Sequence, residues 1–226
     1  MIMNTQTGGF FMKCYPFALF ELPYAYNALE PHIDELTMHL HHDRHLKSYT
    51  DKLNAALKPY EQLHNKSLEW LVCNAGTLQG NARKANKEIA HNAGGVYNHI
   101  YYFAGLSPKP EGSENNPEGR FARGIIREFG TWELFAAKFK ACAIELFGSG
   151  YLWLALDRQK RLKIVKTHNQ ETPLARGFCP LFCIDLWEHA YYLKHYNDRG
   201  AYIDDWFAVL NMEFAQANYE AAKPLK

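Results

Sequence analysis

The 226-residue chain is short of cysteine, has no excess charge of either sign and has no long apolar run, and each shortage removes a class of function. Its five cysteines (Cys14, Cys73, Cys142, Cys179 and Cys183) are odd in number and form no C-x-x-C pair, which fits neither a disulfide framework nor a zinc ribbon. A reducing compartment, the cytoplasm, is expected. Lys plus Arg total 25 against 24 for Asp plus Glu, a net charge of +1, so nothing supports a nucleic-acid or polyanionic partner. No stretch approaches the roughly 20 apolar residues of a membrane span, so no membrane partner is expected. Lys13 and Pro16 interrupt the Gly8–Phe20 stretch before it reaches signal-peptide length. Residues 1–20 are read as an N-terminal extension, with Met12 as an alternative start. No internal repeat is evident.

What is present is an apolar content of 47%, an aromatic content of 15% and eleven histidines, several of them clustered. That composition suits a substantial core in one compact unit or two small lobes. Phe20–Pro31, with two prolines and tyrosines between them, reads as an extended arm packed on a surface. From Asp34 to Leu57, Leu36, Leu40, Leu46, Tyr49, Leu53 and Leu57 recur at helical intervals and predict one long amphipathic helix. A second helical region, Ser67 to Phe103, is expected to be broken or loosened near Gly76 and Gly80 and again at Gly94-Gly95, where another backbone or a small site must come close.

Ser107–Gly119 is rich in Pro, Gly and polar residues and marks the lobe boundary, giving lobes of 21–108 and 109–226. Beyond it, helices are expected from Phe121 to Phe147, with Phe129, Trp132, Phe135, Phe139 and Phe147 as packing residues. Tyr151–Leu156, Lys160–Thr167 and Leu181–Ile184 read as three strands, followed by helix from Leu186 to Lys194 and from Tyr202 to Lys223. The fold class is α+β: an N-terminal helical-hairpin lobe, then a lobe of helices with a small three-stranded antiparallel sheet.

The stretch that organises the chemistry is Phe182–Lys194. If Asp185 opens a helix, its carboxylate and the His189 imidazole, four residues on, project from one side of the first turn. Asp185 follows an apolar strand-like run, and a buried carboxylate needs a cationic partner. An isolated Asp-x-x-x-His is more often a helix N-cap followed by an incidental histidine. On the first helix His41, His45 and Tyr49 form a line at intervals of four, which is a burial problem on a core-facing side unless they bind something; the alternative is a solvated histidine-rich face. His99 lies in the aromatic crowd Val96–Phe103, where a core histidine satisfied by hydrogen bonds is an even alternative.

Together these stretches resemble the iron/manganese superoxide dismutase family. The resemblance runs from Leu22 to about Ala215 and is carried by Asp185-Leu-Trp-Glu-His-Ala-Tyr-Tyr192, Leu22-Pro-Tyr-Ala-Tyr26, Leu29-Glu-Pro-His32, His41-His42 with His45 and Tyr49, Asn98-His99, and Phe147-Gly-Ser-Gly150. It implies disproportionation of superoxide at a mononuclear metal held by His41, His99, Asp185 and His189. It also implies that Tyr49 and His45 line the substrate funnel, that Trp153 and Trp187 wall the site, and that a homodimer forms through Glu188, His189, His45 and Tyr192. A glutamine amide beside the metal-bound solvent is supplied here by Gln170, since Gly95 has no side chain. That arrangement is commoner in manganese members, so manganese is expected, with iron as the alternative. A non-catalytic metal-binding protein on the same scaffold would have lost Tyr49, His45 and Gln170, and a metal-dependent hydrolase would need a positioned base and a larger pocket.

Two positions depart from the family pattern. Tyr151 stands where Trp is usual, adding a hydroxyl beside the site. Asp198 stands where a basic residue often precedes the one matching Arg199, leaving Arg199 and Arg44 as candidates for steering an anion.

Overall fold

The computed structural model describes residues 14–109 and 116–222. Met12, the middle of the Ser107–Gly119 loop and Lys223 therefore lie outside the described residues.

Phe20–Pro31 is not an extended arm. From Tyr26 to His32 it folds into consecutive turns that bury Leu29, and Tyr24 anchors it by donating its phenol hydrogen to the Phe103 carbonyl at 2.8 Å. Asp34 then caps the first helix, accepting the Thr37 N–H at 2.8 Å, a short polar side chain satisfying an otherwise orphaned donor. The helix is longer in outline than in type: α1 (Glu35–Leu40) passes through a π-helical turn (His41–Leu46) into α2 (Lys47–Leu57) without a break. Periodicity predicted a plain α-helix. The wider turn lets two adjacent histidines both be buried with different partners, His41 towards the second lobe and His42 on the Phe20 carbonyl at 2.6 Å.

After α3 (Leu68–Asn74), capped by Ser67, two short 3-10 turns lead into α4 (Asn86–Ala104). The chain loosens near Gly76 and Gly80 as expected, but Gly94-Gly95 does not interrupt α4. The expected close approach does occur there. A Cβ on Gly94 would overlap the Gln170 carbonyl, and one on Gly95 would overlap the Tyr49 ring. With no Cβ, glycine admits those neighbours while α4 runs on unbroken.

In the second lobe α5 (Gly119–Phe129) ends at Gly130, whose φ of 93° suits glycine, and α6 (Trp132–Ile144) starts on a Thr131 cap. Phe129, Trp132, Phe135 and Phe139 pack as expected, whereas Phe147, just beyond α6, is 94% exposed. The sheet is antiparallel in the order β2-β1-β3, with β1 (Gly150–Leu156) central and buried throughout, β2 Leu162–His168 and β3 Cys179–Asp185. Tyr151 of β1 stands directly opposite Asp185 of β3.

The segment after β3 is not the expected helix from Leu186. It makes a 3-10 turn, Glu188–Ala190, and then a four-residue helix, α7 (Tyr192–His195). The expected helix from Tyr202 is two helices, α8 (Arg199–Ala208) and α9 (Met212–Ala221), with Asn211 capping the second. Asp198 caps α8 by accepting the Ala201 N–H at 2.9 Å, which gives that residue a structural reason. The lobes are joined where α4 packs on β3 and where the Asn211 N–H reaches the Gly105 carbonyl at 2.8 Å. Among the described residues no helix is long and apolar enough to cross a membrane.

Candidate metal centre

Four elements from both lobes bring His41, His99, Asp185 and His189 to one point, with one ligand atom from each lying within 4.8 Å of all the others. His41 comes from the π turn, His99 from α4, Asp185 from the end of β3 and His189 from the 3-10 turn after it. Asp185 does not open a helix, yet its side chain and that of His189 converge because the chain bends sharply between them. His41 Nε2 is 3.2 Å and His189 Nε2 3.6 Å from Asp185 Oδ2. The His41 ring meets those of His99 and His189 edge-on at 5.0 and 4.8 Å.

The polar accounting leaves this group incomplete. His99 Nδ1 donates to the Gly95 carbonyl at 2.7 Å, which turns the Nε2 lone pair inward. His99 Nε2 and His189 Nε2 are both buried without a hydrogen-bond partner, a costly arrangement unless a cation receives them. Burial would raise the Asp185 carboxyl, but the neighbouring His189 and His41 imidazoles outweigh it and hold the group ionised, well below the ordinary carboxylate range. Burial drives His41 down to about 4, against the pull of Asp185, and also lowers His99 far below the usual imidazole range. At neutral pH these two imidazoles are uncharged and the carboxylate is anionic, the protonation pattern a divalent or trivalent ion requires.

Around the four, His45 stacks on His189 at 3.9 Å and burial lowers its pKa to about 4. Tyr49 stands 5.3 Å from the His99 ring, and burial raises its phenol so that it stays protonated. Gln170 Nε2 donates to the Tyr49 hydroxyl at 3.1 Å, while Gln170 Oε1 accepts from Asn98 Nδ2 at 3.2 Å. Asn169, at a φ of 50°, makes the left-handed turn that points Gln170 inward. His45 and Tyr49 also line an open cleft of about 600 Å³ whose other walls include Lys52, Lys87 and His91. They are therefore the boundary between solvent and the buried group.

The tryptophans differ in rank. Trp187 donates its backbone N–H to Asp185 Oδ1 at 2.8 Å, and its ring lies 5.6 Å from His189. Trp153 is one ring further out, behind Tyr151 at 6.0 Å and bonded to Thr167 Oγ1 at 3.0 Å. The rings that flank His41 are Tyr102 and Phe103, at 5.0 and 4.9 Å. Glu188 and Tyr192 are exposed on the outer side of the His189 turn. The Arg199 guanidinium is held by the carbonyls of Leu146, Gly148 and Leu186 and the Tyr191 hydroxyl, so it clamps the loop before β1 rather than standing free, while Arg44 is exposed.

Sequence reasoning missed Tyr202, whose hydroxyl donates to the Asp185 backbone carbonyl at 2.8 Å, and the cleft lysines. No local spacing marks either, because each depends on elements packing together within a lobe, α8 against the end of β3 and α2 against α4. Asn98 was visible as the neighbour of His99, but its grip on Gln170 was not.

Comparison with known proteins agrees over nearly the whole length. Residues 16–107 match the family model for the alpha-hairpin domain of iron/manganese superoxide dismutases, and residues 117–218 match the model for their C-terminal domain. Manganese superoxide dismutase 2 of Bacillus cereus is 41% identical over 203 residues, covering 90% of this chain and 94% of that protein. The manganese superoxide dismutase of Listeria innocua is likewise 41% identical, covering 90% of this chain and 97% of its own. Shared sequence across both domains thus joins the convergence of four side chains that could hold a metal ion, and the chain belongs to the iron/manganese superoxide dismutase family.

Proposed function

We propose that this protein is a superoxide dismutase, converting two superoxide anions and two protons into dioxygen and hydrogen peroxide with one manganese ion per subunit, iron being the alternative. The observation that carries the reading is the meeting of four ligand atoms within 4.8 Å at His41, His99, Asp185 and His189. Three imidazoles and one carboxylate suit manganese or iron, whereas thiolates, absent from the group, would favour zinc, copper(I) or iron–sulfur clusters. When bound by His41, His99, Asp185 and His189, the ion would supply the one-electron redox chemistry that disproportionation needs.

The chain's own residues do the remainder. Asp185 contributes the one anionic ligand and so favours the higher oxidation state, while neutral His41 and His99 keep the total charge of the buried group low. Lys52 and Lys87 on the cleft wall attract an anion towards His45 and Tyr49. The rings of Trp187, Tyr102 and Phe103 exclude water and larger molecules. Peroxide needs two protons. The Tyr49 hydroxyl, protonated and tethered by Gln170 at the boundary with the cleft, is placed to hold and pass them on. Gly95, filled by the Tyr49 ring, cannot supply an amide, and Gln170 does, which supports manganese as the working ion.

The same reading includes lobes of 21–108 and 109–226 and a symmetric homodimer through Glu188, His189, His45 and Tyr192. The half-exposed Tyr192 and Leu193 beside the His189 turn, with Leu36 and Phe147 also exposed, support a face that a second copy covers. All five cysteines are unpaired, which supports a cytoplasmic location. Reconstituting the apoprotein separately with manganese and iron, and measuring superoxide consumption per bound ion, tests the proposal. Higher activity with manganese is expected. Equal or higher activity with iron overturns the choice of metal, and no consumption with either overturns the function.

A further inference from the structure

We infer that His91 is the pH-dependent cation of the cleft between α2 and α4, and that its charge sets how strongly a small anion is drawn towards Tyr49 and His45. Superoxide as that anion rests on the proposed function, whereas the layout of charge in the cleft does not.

Two lines of side chains meet across this cleft. On one helix His41, His45 and Tyr49 are followed three residues later by Lys52. On α4, Lys87 and Glu88, then His91, then Gly94 and Gly95, then Asn98 and His99 recur at intervals of three and four, so they share one side of the helix. The two glycines present no side chain, and the Tyr49 ring fills the space at Gly95. His91 is therefore the last side chain on that line before the buried Asn98 and His99. Its ring centroid lies 5.7 Å from that of Tyr49. His91 is exposed and lines the cleft of about 600 Å³ together with Lys52 and Lys87. It also lines a second cleft of about 390 Å³, bounded by Gly94 and Gln170. An anion moving from the lysines to Tyr49 passes the imidazole.

The charges facing His91 come from three parts of the chain. On the first helix Lys52 is cationic, His45 is uncharged because burial holds it at about 4, and Tyr49 stays protonated. On α4 itself Lys87 is cationic and Glu88 anionic. On the connection from β2 to β3, Glu171 and Arg176 pair with each other and so offset one another. The cleft thus carries one cation in excess, and a proton on His91 makes it two. Imidazole is the side chain whose charge ordinarily changes between about pH 5 and pH 8. The pull on an anion is therefore strongest in acid and is lost as His91 gives up its proton.

The test compares the full-length parent with His91→Gln, which is never charged, and His91→Lys, which always is, each loaded with manganese. Two quantities are measured from about pH 6 to about pH 8.5, across the upper part of the imidazole range. One is kcat/KM for superoxide, and the other is the affinity for azide, a small inert anion, read from the visible absorption of the ion. In the parent both should fall by about two- to fivefold as pH rises, the size expected of one unit charge several ångströms from an anion in a solvent-filled cleft. His91→Gln should stay near the parent's high-pH values throughout, and His91→Lys near its low-pH values. All three should draw together in concentrated salt. A His91→Gln profile that follows the parent's, or Gln and Lys variants that coincide, overturns the inference. A parent that binds manganese yet consumes no superoxide removes the proposed function, and the azide series then decides alone.

Discussion

The Tyr49 ring occupies the space that a side chain at Gly95 would fill, so two residues 46 positions apart share one volume between α2 and α4. Even a methyl group there has no room. Gly95→Ala should push Tyr49 away from Gln170, lower turnover and reduce stability by about 1–3 kcal/mol, the usual range for overpacking a filled site. Metal content should stay near the parent's, since none of the four residues at the centre is replaced and the Gly95 carbonyl that holds His99 is backbone. Thermal unfolding and metal analysis of the variant check both parts, and a variant with parental turnover would show that Tyr49 has no part in it.

Asp185→Asn keeps the shape of the side chain and removes its charge. Loss of groups that only support a ligand commonly costs 10- to 100-fold in metal affinity, so removing the anionic ligand itself should cost at least about tenfold. Elemental analysis after dialysis against a chelator reads this directly. Full retention of the ion would remove Asp185 from the ligand set.

Because ligands from both lobes meet at the site, stripping the ion should soften the whole molecule rather than one corner of it. At a free-ion concentration a thousand times Kd, binding adds about 4 kcal/mol to stability. In a chain of this size that corresponds to a drop in Tm of roughly 8–16 °C on removal. Calorimetry of the metal-free and metal-loaded forms should show one transition moving, and an unmoved transition would contradict the joining of the lobes through the metal.

Asp205 is bonded by His32 Nδ1 at 2.7 Å and His195 Nε2 at 2.8 Å, so it bridges the N-terminal turns and α7. Burial would raise its carboxyl, but those two histidines outweigh it and hold it below the ordinary value of 3.8. A depressed carboxyl stabilises the fold above the unfolded value and loses that contribution as pH falls through the folded one. Asp205→Asn should therefore flatten the loss of stability with acid below about pH 5, relative to the parent. Urea midpoints measured from pH 6 to pH 3 give the comparison, and parallel curves would assign the acid sensitivity elsewhere.

Glu188 is exposed beside His189, on the face proposed for the second subunit. Glu188→Ala should weaken dimerisation and disturb metal binding together. Sedimentation at micromolar concentration decides, and a parent that is monomeric and fully active would remove the dimer from the account.

The strands of the second lobe were legible because short apolar and β-branched runs lie between turn-forming residues such as Asp157 and Gly177. The long first helix was legible from its leucine spacing, but the π turn within it was not, because widening one turn leaves the apolar periodicity on either side intact. Helix was expected after Asp185 because Leu186–Lys194 is rich in aromatic and apolar residues, whereas the structure spends that segment on bends that bring His189 back towards Asp185. The four converging side chains could be named from motif resemblance, yet the roles of Asn98 and Tyr202 depend on contacts 72 and 17 residues away in sequence that no local pattern encodes.

The π turn at His41–Leu46 also makes this part of the chain tolerant of one particular change of length. One wide turn holds one residue more than an α-helical turn would. Removing a single residue between 41 and 46 would let the segment relax into continuous α-helix, and because the wide turn had already absorbed the extra residue, the helix on either side would keep its phase. What would change lies inside the turn, where His41 and His42 could no longer both keep their separate buried partners. The outcome would be an intact helix with a damaged site, so a deletion here is felt by the site before it is felt by the fold.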